Sequence, residues 1–237
     1  TAKDEMRFKT PDALMNGQAT VDVIQSCIPN IKNAWTMPVL DLDTLLIAVR
    51  IATYGEKLEL STTVPVSNEE KTFTLDMRTL LDQFMAVSYD NVITHSDLKI
   101  TIRPITYMQF TKTAIKSFEE QRIFQTINDT EMDDNQKMGT FNDAFTKLTN
   151  LTIGTIKTSI SQIQAGDQIV VDENQISEFI DNADKEFYSA ITDHIEAQKK
   201  KFEIKPMRVE SSEEEQGQGV PKTYDVPIAF DQSNFFA

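Results

Sequence analysis

Glycine is scarce, seven residues in 237, about half its ordinary share of ~7 %. That excludes the glycine-rich phosphate cradles of the GxGxxG and Walker kinds and favours helices and plain strands over looped architecture. Cysteine is limited to Cys27, so neither an internal disulfide nor a cysteine-rich zinc site can form within the chain. Among Val23, Ile24 and Ile28 this thiol is expected to be a small buried hydrophobe, and a lone cysteine fits a reducing compartment. Basic residues are outnumbered 23 to 37, a net charge of −14. Such a surface is repelled by phosphates, which excludes nucleic acid and anionic membrane as partners. The densest basic run, Lys199 to Lys201, falls at a predicted helix end, where cations suit the dipole. No stretch approaches the ~20 apolar residues of a spanning helix, and Thr1 to Lys9 lacks the apolar core of a secretory leader.

What is present is ordinary globular material. Hydrophobic residues make up 40 % and charged residues 25 %, and the length allows one large or two small domains. Thr1 to Phe8 reads as a helix start. Gln18 to Ile28 carries Val21, Ile24 and Ile28 at helical spacing, with Pro29 as its stop. The clearest helix runs from Asp41 to Gly55: Asp41 or Asp43 caps it, Gly55 ends it, and Leu42, Leu45, Leu46, Val49 and Ala52 form one face. Ile47 and Ile51 lie off that face, so burial on more than one side is expected.

Lys57 to Val66 and Lys71 to Leu75 alternate as a hairpin about a polar turn, and a short helix follows over Met77 to Phe84. Leu98 to Ile102 is a strand. Thr106 caps a helix to about Phe124, with a broad apolar stripe of Met108, Ile115 and Phe118 with Tyr107, Phe110 and Ala114. Asn128 to Met138 is expected as an acidic loop and Phe141 to Gln164 as mostly helix, weakened by β-branched residues and Gly154. Asp167 to Val171 reads as a short strand or loop, helical periodicity returns over 176–179 and 187–195, and Phe202 to Val209 reads as a strand. Glu210 to Gly219 has no apolar residue and is expected as a flexible acidic linker. Tyr224 to Ala237 then turns abruptly apolar. The expected organisation is a main α+β body over 1–209 with a sub-boundary near 90–97, a linker over 210–221, and over 222–237 either an apolar docking tail or a last strand.

Chemistry-bearing spacing is sparse. His194 beside Asp193 reads as an exposed imidazole. The turn Thr94-His-Ser-Asp97 places its residues adjacent in sequence, where they cannot align as a relay. Asp129, Glu131, Asp133 and Asp134 lack the glycine and terminal glutamate of a calcium loop. Asp41 and Asp43 are accounted for by capping. No catalytic residue, metal ligand or cofactor site is therefore assigned. Partner contact is the remaining candidate chemistry. Trp35, after a proline turn, is either core or an interface anchor. Tyr224, Val226, Ile228, Phe230, Phe235 and Phe236 form either a last strand on the chain's own sheet or a tethered segment docking on another subunit.

Met6-Arg-Phe-Lys-Thr-Pro-Asp-Ala-Leu14, Gly17 and Val23-Ile-Gln-Ser-Cys-Ile-Pro29 resemble the opening of baseplate hub proteins of contractile-tailed, T-even-like bacteriophages. Leu40 to Glu56 resembles that family's central helix, and Lys57 to Leu60 the strand after it. The resemblance covers residues 1–105 well and the rest loosely. Family members carry a short strand ahead of the Thr1 position, which implies residues upstream of it. Some relatives have cysteine pairs in the following hairpin; Ser61 to Glu70 has none, so no metal role carries over. The resemblance implies a non-enzymatic structural or assembly protein, acting on other baseplate and tail proteins in the host cytoplasm. Presence in the virion and membership of a symmetric oligomer stay open. The alternative is a tail assembly chaperone that masks a tail component and then leaves. A hydrolase with an unrecognised carboxylate pair is the third, distant reading.

Overall fold

The computed structural model of the chain describes residues 17–127 and 133–228, without the side chains of 125–127. The helix start expected over Thr1 to Phe8 lies outside them.

Gly17 opens α1, Gln18–Cys27, with φ +75°. One face of α1 is buried through Ala19, Val23 and Ile24. Its last two residues leave the core, so Cys27 is exposed rather than buried. Two 3-10 turns, Ala34–Thr36 and Val39–Asp41, lead into α2, Leu42–Tyr54. The second turn runs straight into the helix, so Asp41 has helical φ/ψ and its carboxylate makes no cap bond. The expected capping by Asp41 is thus replaced by a continuous backbone; burial pushes the Asp41 and Asp43 carboxyls up from their ordinary range. Gly55 ends α2 at φ +86°, and Ile47 is fully buried beside Leu46 and Val49.

The hairpin pairs β1, Lys57–Thr63, with β2, Glu70–Asp76. Asp76 then caps α3, Met77–Met85, by accepting from the N–H groups of Arg78 and Thr79. Met77, Leu80 and Phe84 of α3 join α1, α2, Leu58 and Leu75 in a first core.

A second core begins at β3, Val92–His95, which sequence reading missed, and β4, Leu98–Ile102. The chain then leaves the sheet for two long helices, α4, Tyr107–Ile127, and α5, Asp134–Ser159. It returns as β5, Ile160–Ala165, and β6, Gln168–Val170. Ile93, Ile100, Ile163 and Val170 stand opposite one another across the four antiparallel strands. This row faces α6, Glu173–Asp181, and α7, Lys185–Lys201, through Ile176, Ile180, Phe187 and Ile191.

Two boundaries of α5 differ from those expected. The loop expected to run to Met138 turns helical at Asp134, because Asp133 caps α5 by accepting from the Gln136 N–H. The helix expected to reach Gln164 ends at Ser159, where the chain joins the sheet; Ile160 and Ile163 are both buried, on either side of a register shift opposite Thr101 and Ile102. Gly154 does not break α5. Its threonines are accommodated by back-bonding: Thr140, Thr146, Thr149, Thr152, Thr155 and Thr158 each donate to the carbonyl four residues earlier.

The segment expected as a flexible linker is ordered. After β7, Met207–Glu210, a five-residue helical turn α8, Glu213–Gly217, carries a reciprocal cap between Ser212 and Glu215. Glu215 is only 8 % exposed. Strand β8, Thr223–Val226, pairs antiparallel with β7, and Val220, Tyr224 and Val226 close a small third core on Val64 and Phe73. Helices packed with small antiparallel sheets make an α+β fold, as the sequence indicates.

Candidate functional site

Helices α4 and α5 form an arm. Between Thr111 and Ile156, Ala144 is the only buried residue among those described, and the two helices pack chiefly on each other. At 1.5 Å per residue the 21 residues of α4 give a shaft of about 30 Å. Its base is rooted in both cores, with Tyr107 in the first and Ile156 in the second. Backbone bonds lock it there: the Tyr107 N–H donates to the Met37 carbonyl at 2.9 Å, and the Arg103 N–H to the Ser159 carbonyl at 2.8 Å.

The antiparallel register of the arm is set by two contacts. Lys147 Nζ lies 3.3 Å from Glu120 Oε1, and the Phe124 and Phe141 rings meet edge to face at 5.1 Å. At 3.6 residues per turn, Glu120 and Lys147 close one flank of the pair, while Phe118 and Phe145 fall on the opposite flank. That second flank is apolar and open. Phe118 is 50 % exposed, Phe145 59 %, Met138 62 % and Phe141 48 %; Phe110 and Ile115 continue the stripe toward the base. Six large apolar side chains left in water on two packed helices are the mark of an interaction surface rather than of scattered surface residues.

The residues singled out from sequence distribute differently. Trp35 is half-buried, stacked on Tyr107 at 5.6 Å and packed on the first core at the arm's base. Tyr224 and Val226 are buried within the chain's own third core, Tyr224 edge-on to Phe73 at 6.4 Å; Ile228 packs on the first core. Tyr224 and Val226 stand in β8, paired with β7, and Ile228 lies beyond its end. Phe230, Phe235 and Phe236 lie outside the described residues. Trp35 and Ile228 thus share the first core, while Tyr224 and Val226 lie in the third. The open flank was visible only as part of a broad stripe, because periodicity marks an apolar face without saying whether anything covers it.

His194 is bonded through Nε2 to the Asp90 carbonyl at 2.9 Å, where Gln198 also accepts from the Asp90 N–H. It therefore clamps the segment joining the two cores instead of standing exposed. The adjacent Tyr89 phenol is pushed up to about 12 by burial, with a smaller contribution from the Asp90 charge. His95 packs edge-on to Phe187. Among the described residues no three His, Cys, Asp or Glu side chains gather as metal ligands.

Residues 2–216 match the family described as T4 bacteriophage base plate protein. The chain belongs to that family. Membership makes it a phage baseplate protein, of a structural family, with contacts to other phage tail proteins as its implied business. Searches of curated proteins and of solved structures return no match to it. None of the described helices of this baseplate protein is long and apolar enough to cross a membrane.

Proposed function

We propose that this baseplate protein is a non-enzymatic component of the tail baseplate hub, working by protein–protein contact through the open flank of its α4–α5 arm. The observation that carries the reading is the exposure of Phe118, Phe145, Met138 and Phe141 on a shaft anchored in two cores. A rigid helical pair presenting aromatic anchors is a recognised form of docking element, because little conformational entropy is lost when it binds. Trp35 at the arm's base and Phe230, Phe235 and Phe236 beyond the last strand are further proposed contacts. The body over 1–209, with a sub-boundary near 90–97, is read as two cores acting as the arm's mount. The setting is the host cytoplasm during assembly, with other tail proteins as partners and a symmetric assembly as the context.

The same exposed flank also suits a tail assembly chaperone, which would cover a tail component and leave before completion. Mass spectrometry of purified virions separates the two. Recovery of the chain in stoichiometric amount supports the hub component, and its absence from virions while it is captured with tail proteins from infected cells supports the chaperone. Capture with no tail protein at all would overturn both.

A further inference from the structure

We infer that the open flank of the arm is covered by a second copy of this chain, two arms packing flank to flank as a four-helix bundle. The inference rests on reading that flank as an interaction surface and names its occupant.

Area points to a symmetric pair. Six side chains, each a third to two-thirds exposed, present on the order of 500 Å² of apolar surface. Two such flanks facing each other, with their polar borders, reach the roughly 1,200 Å² at which stable interfaces begin. A two-fold contact needs one patch that complements itself. On α4 the ridge Phe110, Ala114, Phe118 runs large, small, large at four-residue spacing, leaving a hole at Ala114 between two knobs. On α5, Met138, Phe141 and Phe145 supply knobs of the size such a hole takes.

Charge points to the arm as the place where copies meet. The chain carries −14, so two copies repel at their bodies. Helices α4 and α5 together hold six basic against four acidic side chains, the reverse of the chain's balance. Along these two helices a copy therefore meets another without the acidic excess that the chain carries as a whole. The Glu120–Lys147 pair lies on the other flank, so the contact leaves it undisturbed. Antiparallel helix pairs that bury one flank each are the ordinary construction of four-helix bundles.

The test is sedimentation velocity of the full chain from about 1 to 100 μM, since interfaces of this size span micromolar and tighter dissociation constants. Ala114→Arg and the double variant Phe118→Asp with Phe145→Asp are run beside it, with far-UV circular dichroism. Ala114 is exposed in a helix and arginine is a good helix former, so the first variant keeps the fold even where the second fails. The expected result is a dimer for the native chain and a dissociation constant at least 100-fold weaker for Ala114→Arg, with an unchanged helical spectrum. Lys147→Gln, on the other flank, is expected to stay dimeric. A native chain that is monomeric throughout overturns the inference, as does a dimer that Ala114→Arg leaves intact. A monomer that still captures tail proteins, and loses them in Ala114→Arg, removes the second copy while sparing the functional reading. A dimer that captures none spares the second copy and removes the functional reading.

Discussion

Lys71 on β2 donates to Glu215 in α8 at 2.7 Å, across 144 residues of sequence. The pair ties the β7–α8–β8 strap to the β1–β2 hairpin, over the third core of Val64, Val220, Tyr224 and Val226. The hydrogen bond from Lys71, reinforced by the Ser212 N–H, holds the Glu215 carboxyl below its ordinary range; the same bond holds Lys71 above its own.

The sign of the pH dependence follows from those directions. A carboxylate whose folded value is depressed contributes above its unfolded value, about 4.3, and that contribution is lost as pH falls through the folded value. A lysine whose folded value is raised contributes fully below about 10.4 and loses it as pH rises through the folded value. The clasp is therefore at full strength between those limits. Glu215→Gln should lower the melting temperature at pH 7, with a difference from the native chain that shrinks as the solution is taken below the carboxylate range. Hydrogen exchange should show β8 opening first in the variant. An unchanged melting temperature at pH 7 would show that the strap is held by its apolar contacts alone.

That strap is also where sequence reading failed most instructively. Glu210 to Gly219 has the composition of a tether, yet Ser212 and Glu215 stand three apart, the spacing of a capping box. Composition gives average solubility; a cap and one long-range lysine decide whether the segment is ordered, and the lysine is invisible in the local sequence. The helix before Gly55 was legible because its apolar face and its glycine stop are local, although Asp41 makes no cap bond at its start. The boundary at Ser159 was not, since Thr and Ile in α5 suit strand and helix alike, and only pairing with β4 settles where β5 begins. The arm's helices were readable as apolar stripes. Their openness was not, because it depends on what the rest of the fold leaves uncovered. Deletion from Gln216 onward, which the tether reading treats as harmless to the body, removes Val220, Tyr224 and Val226 from a core and is now expected to cost cooperative stability.

Gly17 sits where α1 meets the base of the arm. Its φ is +75°, and an added Cβ would lie 3.1 Å from Tyr107 Oη, 3.2 Å from Thr111 Oγ1 and 3.2 Å from the Trp35 ring. Gly17→Ala combines a left-handed backbone penalty with a crowded site, so a loss of about 1–3 kcal/mol in unfolding free energy is expected. Trp35 is the only tryptophan and stacks on Tyr107, so its emission should shift in the folded variant. Urea melts that coincide with the native chain, with unchanged emission, would show that the junction relaxes freely.

Val66 presents the opposite case at the β1–β2 turn. It is β-branched, 62 % exposed and held at φ +71°, a conformation that costs such residues of order 1 kcal/mol or more. Asparagine tolerates this region, and little burial is lost by the change. Val66→Asn should raise unfolding free energy by about 1 kcal/mol, read from the urea midpoint at constant slope. A lower midpoint would mean that the valine side chain holds the turn, its Cγ1 lying 3.8 Å from where a Cβ on Gly219 would stand.

Arg50 is the least comfortable group in the first core. It is 5 % exposed, and its Nε and Nη1 atoms have no hydrogen-bond partner. Burial pulls its guanidinium below the ordinary value, and the neighbouring Tyr54 opposes that shift. The guanidinium lies 4.6 Å from the centre of the Tyr54 ring, a cation–π contact worth about 0.5–2 kcal/mol. Against it stands the desolvation of a charged group with unmade bonds, about 1–3 kcal/mol or more. The larger cost wins, so Arg50→Met, which keeps the length of the side chain and drops the charge, should stabilise the protein by about 1 kcal/mol. Arg50→Ala should not, because it also removes the packing of the aliphatic stem and leaves a cavity. Thermal melts of both variants decide the matter: methionine above the native chain and alanine below it is the expected order, and a loss with methionine would show that the Tyr54 contact outweighs the unmade hydrogen bonds.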